Sequence, residues 1–515
     1  MSAKTLMVQG TASSVGKSII VAALCRIFRQ DGFKVAPFKS QNMALNSFVT
    51  REGGEIGRAQ AVQAEAAGID PTVDMNPVLL KPEADARSQV IVLGKVWKNL
   101  AARDHYKCTP ELIGVIEKSL ARLRANFDII VIEGAGSPAE INLKEQEIVN
   151  MRVARMADAP VLLVGDIDRG GVFASIIGTL ELLDEAERKM VAGLIINKFR
   201  GDVSLLKPGL DILEQKSGKP VLGVVPYFRD LKVAQEDSVW LEERRDVAEV
   251  SGLNVAATSR LNVAIIRLPH MSNYDDFDPL DASGCSVRYI SDADELGSPD
   301  LIILPGTKTT VFDLDFLRKQ RLAEVIVRRV KEGTPLIGVC GGYQMLGKKI
   351  YDPHNVESPE TVVDGLGLLD METTFADTKT TTQVKARVSA GRGLLSGLNG
   401  LEISGYEIHM GQTKSSEGYA PLQVVKTPDN RAAYFDGTIN EDGNIFGTYI
   451  HGLFHNTAFT KAILDRLRER RGLSQNVPGF LDIEEQYDVL ARGIRESLDM
   501  RRLYKITGLN PGERY

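Results

Sequence analysis

Residues 8–20 read VQGTASSVGKSII, and this stretch decides the fold of the N-terminal half. It joins a strand-like apolar run to a helix-like run through a loop that ends in Gly16, Lys17 and Ser18. In a phosphate-binding loop, backbone N–H groups surround the phosphates, the lysine bridges their charge and the hydroxyl binds magnesium. The usual loop has about four residues between its glycines, whereas five separate Gly10 from Gly16 here. Because the extra residue lengthens only the front of the loop, we expect a nucleoside triphosphate site that comprises Gly10, Thr11, Gly16, Lys17 and Ser18.

The segments around this loop alternate between short apolar runs and longer amphipathic ones. Lys17–Arg29 has a helical period, with apolar side chains on one side. Near-continuous apolar strands joined by helical crossovers indicate a parallel sheet that is covered on both faces. The predicted strands lie within Thr5–Gly10, Phe33–Phe38, Phe127–Gly136, Ala159–Asp168, Val191–Phe199 and Pro220–Tyr227.

A second series of apolar runs follows a segment without a pattern, which contains the charged run Glu242–Asp246. The runs are Leu261–Pro269, Asp300–Thr307, Pro335–Gly342 and Asn444–Gly452. We therefore predict two doubly wound α/β domains. The predicted divisions are residues 1–232 (P-loop ATPase or synthetase domain), 233–259 (linker), 260–460 (second α/β domain) and 461–515 (helical tail).

Length and composition agree with two domains and exclude several classes of protein. The chain has 515 residues, whereas a single core stops growing at about 250–300 residues. A net charge of −6 gives no electrostatic footprint for nucleic acid. The four cysteines have no metal-ligand spacing, and no run approaches the ~20 apolar residues of a membrane span. We expect a cytoplasmic protein with neither nucleic-acid nor membrane partners.

Two polar residues follow predicted strand ends, where ligands gather in an open parallel sheet. Glu133 ends the strongest apolar run and offers carboxylate oxygens, which Mg²⁺ prefers. We predict that Ser18 and Glu133 bind the metal. Asn197 follows another strand and could contact the nucleotide base, although asparagine at a strand end is also a common turn former.

The second half contains a candidate cysteine nucleophile. Cys340 lies in GVCGG, a strand-to-helix turn in which glycines permit strain and the N–H of Gly341 faces an oxyanion. His451 directly follows an apolar run in the same predicted domain and is the predicted base, with His409 as the runner-up. The loop at Gly306 could supply a second oxyanion donor. No group that orients His451 is evident from the sequence.

The motifs resemble two known protein groups. GVCGGYQMLG (residues 338–347), GYEIHMG (405–411) and GTYIHG (447–452) resemble class I glutamine amidotransferases of the cobyrinate-amidating type, whose fold is flavodoxin-like. The first half resembles the dethiobiotin-synthetase group of ATPases, whose phosphate loop also has five residues between its glycines. The combination implies that one domain releases ammonia from glutamine and the other activates a carboxylate with ATP and Mg²⁺.

Three further stretches resemble the cobyric acid synthase family in particular: FKSQNMALNS (residues 38–47), GEIGRAQAVQAEAAG (54–68) and MNPVLLKP (75–82). The resemblance extends over essentially the whole chain. It implies ATP- and glutamine-dependent amidation of the b, d, e and g carboxylates of adenosylcobyrinic acid a,c-diamide. The candidate corrinoid contacts are Lys39, Gln41, Asn42 and Asn46, each of which could equally be a turn or surface residue.

One feature differs from the pattern of these groups, and others distinguish this chain from proteins with other functions. Most class I amidotransferases have Glu two residues after the histidine, where this chain has Leu453. A partitioning or regulatory ATPase of the ParA/MinD type would carry a lysine at the position of Ala12. Cobyrinic acid a,c-diamide synthase has a segment rich in Gly-Pro-Asp that is absent here. A cysteine hydrolase with a vestigial nucleotide domain is disfavoured by the intact Gly-Lys-Ser and Glu133.

Overall fold

The computed structural model describes most of the chain, and the predicted linker, apart from Val233, lies outside the described residues. The described residues are 3–83, 87–101, 104, 106–228, 231, 233, 260–416, 419–428, 432–474 and 482–511. Among them, no helix is both long enough and apolar enough to cross a membrane.

The N-terminal half consists of strands and helices that alternate apart from two runs of consecutive strands, within residues 35–57 and 78–101. The strands are β1 Lys4–Gly10, β2 Val35–Phe38, β3 Gln41–Met43, β4 Ser47–Val49, β5 Glu55–Gly57, β6 Val78–Glu83, β7 Arg87–Val92, β8 Lys95–Ala101, β9 Ile129–Glu133, β10 Val161–Asp166, β11 Val191–Phe199 and β12 Val221–Pro226. The helices are α1 Lys17–Gln30, α2 Arg58–Ala67, α3 Thr109–Asn126, α4 Met151–Ala157, α5 Val172–Leu182, α6 Glu185–Met190 and α7 Val203–Ser217, with short 3-10 helices at Val73–Met75 and Tyr106–Cys108.

All six apolar runs predicted in this half contain a strand of one parallel sheet. Its order is β12-β11-β10-β1-β9-β2. Two hydrophobic clusters cover its faces, one built with α3, α4 and α5 and the other with α1. Smaller sheets, β3-β6-β7-β8 and the β4-β5 hairpin, follow β2 in the chain and were not predicted. The doubly wound prediction for this half is confirmed.

The second half combines a mainly parallel sheet with a large, mainly antiparallel one. Its strands are β13 Asn262–Ile266, β14 Ser286–Ile290, β15 Leu301–Leu304, β16 Leu336–Val339, β17 Lys349–Tyr351, β18 Val362–Asp364, β19 Met371–Val388, β20 Glu402–Ser415, β21 Leu422–Lys426, β22 Tyr434–Asp436, β23 Thr438–Ile439, β24 Ile445–Thr448 and β25 Ile450–His451. Its helices are α8 Asp278–Ala282, α9 Thr310–Lys319, α10 Leu322–Lys331, α11 Gly341–Met345, α12 Thr457–Arg470, α13 Ile483–Ser497 and α14 Met500–Thr507, with 3-10 helices at Tyr274–Phe277, Gly393–Leu395 and Leu453–His455.

The four runs predicted here supply the centre of the sheet β14-β13-β15-β16-β24-β23, which is parallel except for its last pair. The second α/β domain is therefore confirmed. Residues Asn444–Gly452 also form β25, which pairs with β20 in the antiparallel sheet. Sequence periodicity did not reveal that sheet, whose longest strands are β19 and β20.

The predicted tail contributes to both halves. Helix α12, which crosses the predicted start of the tail, joins the core of the second domain through Ile463, Leu464 and Leu467. In contrast, α13 and α14 pack on the N-terminal domain beside α1. Arg26 on α1 is buried and forms ion pairs with Glu484 and Asp488, at 2.8 and 2.7 Å. The C-terminal helices thus complete the hydrophobic cover of the N-terminal sheet.

Candidate active sites

The nucleophile candidate lies at a strained turn between β16 and α11. Cys340 has a φ of 50°, a region that residues other than glycine rarely adopt. A Cβ on Gly341 would lie 2.6 Å from Cγ2 of Thr307, and one on Gly342 would lie 2.1 Å from the carbonyl oxygen of Leu304. Because neither position has space for a side chain, the two glycines are what allows the turn to form. Cys340 is itself mostly buried, and its Sγ lies 3.5 Å from the carbonyl oxygen of Ile408.

The imidazole of His451 lies next to Cys340 and is held by a carboxylate. Its Nδ1 is 2.7 Å from Oδ2 of Asp276, whose Oδ1 accepts the backbone N–H of Gly452 at 2.8 Å. Tyr406 stacks on the ring, with centroids 5.2 Å apart. Burial alone lowers the pKa of His451, but Asp276 and a hydrogen bond to Cys340 outweigh it and raise the pKa to about 10. The imidazole is therefore readily held as the cation that a neighbouring thiolate needs.

The oxyanion candidates lie against this pair. A Cβ on Gly306 would lie 2.9 Å from Cε1 of His451, and one on Gly341 would lie 3.1 Å from the backbone nitrogen of Thr307. The structure thus brings Gly306, Gly341, Cys340 and His451 together. His409, the runner-up base, has its Nδ1 2.8 Å from the carbonyl oxygen of Gly411 and stacks on Tyr449. Its hydrogen bond and its ring contact are to groups other than the thiol.

The phosphate loop has the glycine geometry that its sequence predicts. Gly16 has a φ of 98°, and a Cβ there would lie 2.1 Å from Nδ2 of Asn197. That amide donates to the carbonyl oxygen of Val15 at 2.8 Å, so Asn197 supports the loop itself. Lys17 donates to the loop carbonyl of Ala12 at 3.0 Å. Of the remaining predicted residues, Gly10 packs against the loop, and the N–H of Thr11 donates to the carbonyl oxygen of Val164 at 2.9 Å.

The metal candidates lie together at the same edge of the sheet. Ser18 Oγ donates to Oε1 of Glu133 at 2.9 Å, and Nζ of Lys39 lies 2.9 Å from the same oxygen. Gln63 on α2 donates to Oε2 of Glu133 at 2.5 Å, and Gln60 approaches the same oxygen at 3.5 Å. A hydroxyl beside a buried carboxylate is a donor set that fits Mg²⁺, which takes few protein oxygens and keeps water and phosphate as its other ligands.

Comparisons with known proteins match both halves and the whole chain. Residues 6–239 match the CobQ/CobB/MinD/ParA nucleotide binding domain, and residues 262–459 match the CobB/CobQ-like glutamine amidotransferase domain. Cobyric acid synthase of Dehalococcoides mccartyi is 56% identical over 512 residues, covering 99% of this chain and 100% of the relative. The chain belongs to the cobyric acid synthase family.

Two further members of the family support the assignment. The protein of Sorangium cellulosum is 54% identical over 524 residues, covering 99% of this chain and 100% of the relative. That of Desulforamulus reducens is 51% identical over 516 residues, covering 99% of both. The family membership confirms the resemblance indicated by the motifs, and full-length relatives favour a synthase over a regulatory ATPase of the ParA/MinD type.

The structure places the four corrinoid candidates in different surroundings. Lys39 is paired with Glu133, as described above. Asn42 is buried and donates to Oε1 of Gln60 at 2.9 Å. Gln41 has a side-chain oxygen without a hydrogen-bond partner among the described residues. Asn46 is buried against the second domain, where its Oδ1 accepts the N–H of Tyr274 at 3.3 Å.

A cavity of about 640 Å³ opens beside the turn that carries Cys340. Its lining includes Tyr343, the third residue after Cys340, together with His409, Glu407 and Asp436. Burial, together with the charge of Glu407, raises the pKa of Asp436 to about 7. Tyr434 donates its hydroxyl to Glu407 at 2.8 Å. The cavity therefore offers carboxylates and hydroxyls to a small polar molecule.

Three residues that contact the predicted ones were not among the sequence-based predictions: Asp276, Gln60 and Gln63. Asp276 lies in the run NYDDFD after β13, and β13 shares its sheet edge with β16 and Cys340. Because parallel strands end at the same edge of a sheet, the position of this run directly after β13 was the signal that could have identified Asp276. Gln60 and Gln63 lie three residues apart on α2, a helical spacing that places both side chains on one face.

Proposed function

We propose that this chain amidates the b, d, e and g carboxylates of adenosylcobyrinic acid a,c-diamide, using ATP and glutamine, and so forms adenosylcobyric acid. Membership of the cobyric acid synthase family supports the reaction and the substrate class. The geometry gives each of the two domains a part in the proposed reaction. The observation that carries the proposal is that one chain holds Cys340 beside His451 in one domain and Lys17, Ser18 and Glu133 together in the other.

In the proposed glutaminase reaction, Cys340 transfers its proton to His451 and attacks the side-chain amide of glutamine. Since Nδ1 of His451 faces Asp276, the remaining nitrogen Nε2 is the one that receives the thiol proton. Backbone N–H groups at Gly306 and Gly341 stabilise the oxyanion. His451 then protonates the departing ammonia, and water releases glutamate from the thioester.

We place the amino-acid end of glutamine in the cavity lined by Glu407 and His409. The carboxylates that line the cavity complement the α-ammonium group of glutamine. Hydrogen bonds between charged groups are stronger than those between neutral ones. Residue Ile408 connects the two regions, because its neighbours line the cavity while its own carbonyl contacts Sγ of Cys340. The side chain of glutamine would then extend toward the thiol.

In the proposed synthetase reaction, a corrinoid carboxylate attacks the γ-phosphorus of ATP, and ADP leaves. The acyl phosphate then reacts with ammonia to give the amide and inorganic phosphate. Lys17 and Lys39 supply positive charge at the phosphates, and Ser18 with Glu133 would hold Mg²⁺. When bound, Mg²⁺ offsets negative charge on the phosphate oxygens. Gln41, Asn42 and Asn46 remain our candidates for the amide-rich periphery of the corrinoid.

The proposal is tested by mass spectrometry of the corrinoid after incubation with the chain, ATP and glutamine. We expect four successive mass losses of about one dalton each, since every step replaces OH with NH₂. Omission of ATP should prevent all four. A corrinoid whose mass is unchanged in the complete mixture would contradict the proposed substrate and reaction.

A further inference from the structure

A short segment before α8 lies between the two candidate active sites. Residues Asn273–Phe277 comprise a left-handed Asn273, with a φ of 53°, followed by the 3-10 helix Tyr274–Phe277. All five side chains are buried. We call these residues the docking segment. Few buried segments are this polar, and its polar groups need partners that compensate for lost water.

The N-terminal domain supplies those partners at three consecutive positions. Oδ1 of Asn273 accepts the N–H of Ser47 at 3.0 Å, and the N–H of Tyr274 donates to Asn46 at 3.3 Å. Asp275 forms an ion pair with Arg58, the first residue of α2: its Oδ2 lies 2.8 Å from Nε, without the alignment of a hydrogen bond. The docking segment is thus attached to the neighbouring domain along most of its length.

The next residue along the segment holds the base. Asp276 is the residue that contacts Nδ1 of His451 and the N–H of Gly452, as described above. Nδ2 of Asn273 also lies 3.4 Å from Nδ1 of His451. Adjacent carboxylates of one short helix therefore face in two directions, Asp275 toward the N-terminal domain and Asp276 toward His451.

Helix α2 extends the connection to the nucleotide site. Arg58 begins this helix, and Gln60 and Gln63, two and five residues later, contact Glu133. A ten-residue helix is rigid over this distance, so its two ends move together. The same helix therefore contacts both the proposed metal ligand and the segment that positions His451.

We propose that Arg58 is a positioning residue for glutamine hydrolysis: it holds Asp275, and thereby keeps Asp276 in place against the His451 imidazole. This inference rests on the proposed function, because it assigns His451 the role of the base. It makes the glutaminase of one domain dependent on a side chain of the other. Glutamine would then be hydrolysed at full rate only when α2 is in its docked position.

The charges around Asp275 give the physical reason. Burial and the neighbouring Asp276 raise the pKa of Asp275, while Arg58 and His455 lower it; Glu65 acts in the same direction as Asp276. Without Arg58, two adjacent buried carboxylates would lack their main cationic partner in the N-terminal domain. Because an unpaired buried charge is strongly unfavourable, the docking segment would shift or take up a proton.

The test compares Arg58→Gln, Arg58→Lys and Glu65→Gln for two activities of the full chain: glutamate release and amidation driven by ammonium chloride. We expect Arg58→Gln to lower the kcat of glutamate release about 100-fold, the effect of a misplacement of ~1 Å. The KM for glutamine and the ammonia-driven rate should stay within about twofold of the wild type, and Arg58→Lys should restore part of the loss. Glu65→Gln is the matched control, because it removes the other carboxylate that contacts Arg58, at 2.9 Å from Nη1, and leaves the contact between Arg58 and Asp275 in place.

A second variant covers the case in which Arg58→Gln does not fold. Asp275→Asn keeps the shape of the side chain and removes its charge, and we expect the same selective loss of glutamate release. In the double variant the losses should not add, because both changes break one contact. Full glutamate release in Arg58→Gln, or an equal loss of both activities, would overturn the inference. A wild-type chain that releases no glutamate would instead contradict the proposed function.

Discussion

Replacement of Asp276 by asparagine tests the assignment of the base most sharply. The carboxylate now accepts hydrogen bonds from Nδ1 of His451 and from the N–H of Gly452. If the asparagine oxygen stays on Gly452, its NH₂ group faces Nδ1 and forces the histidine proton onto Nε2. That nitrogen can then no longer accept the thiol proton. A hydrogen bond to a charged group contributes about 1.5–3 kcal/mol, and ~1.4 kcal/mol corresponds to tenfold in rate. We therefore expect kcat for glutamate release to fall about 10- to 100-fold.

The assay measures glutamate release and ammonia-driven amidation for Asp276→Asn and for the control Asp294→Asn, whose side chain is exposed in the same domain. Only glutamate release by Asp276→Asn should fall. Removal of the carboxylate also removes the charge that raises the pKa of His451, so the limb of the pH profile that reports this imidazole should move to lower pH. Wild-type kcat in Asp276→Asn would refute the role assigned to this carboxylate.

Substitutions at His451, Glu133 and Glu407 should each affect a different property of the protein. The pKa of His451 is raised from 6.5 to about 10, so its stabilising contribution is complete below pH 6.5 and is lost as the pH rises toward 10. The free energy of unfolding, measured in urea, should therefore fall more steeply over that pH range in the wild type than in His451→Gln. The same pH dependence in both proteins would contradict this. Glu133→Gln should lower corrinoid-dependent ADP release about 100-fold and leave glutamate release measurable, whereas unchanged ADP release would remove Glu133 from the metal site. Glu407→Gln should raise the KM for glutamine about tenfold without changing ammonia-driven amidation, and an unchanged KM would place glutamine elsewhere.

The parts of the fold that periodicity describes are those that the sequence predicts well. Buried parallel strands such as Ile129–Glu133 are continuous apolar runs, and every predicted run contains a strand. Strand β19 differs, because threonine, lysine and acidic residues alternate along it with few apolar ones. Its apolar side chains, such as Phe375 and Val384, join the core of the second domain once β19 pairs with β17, β20 and β21, and pairing between separate segments leaves no local pattern.

The site residues that the sequence predicts lie in local motifs, whereas those that it does not predict come together from distant parts of the chain. Lys17, Ser18 and Cys340 lie in short motifs whose geometry depends on neighbouring glycines, so the local sequence is enough to identify them. Asp276 comes to His451 from 175 residues away in the chain, and the pairing of Arg58 with Asp275 crosses between domains. Contacts of this kind depend on the docking of whole elements.

The position of the C-terminal helices illustrates a further limit. The amphipathic pattern of α13 predicts a helix with one buried side, but it does not identify the surface that the helix covers. Its apolar residues Tyr487, Leu490 and Ile494 pack on α1, at the opposite end of the chain. Charged groups such as Arg26, paired with Glu484 and Asp488, add specificity to that placement.

The central claim is that a thiol in one domain supplies the ammonia that the other domain attaches to a carboxylate. It is tested most directly by the corrinoid product of Cys340→Ala, analysed by mass spectrometry with either glutamine or ammonium chloride as the nitrogen source and ATP in both. We predict that this variant forms amidated corrinoid from ammonium chloride and none from glutamine. Amidation from glutamine at the wild-type rate would contradict the claim.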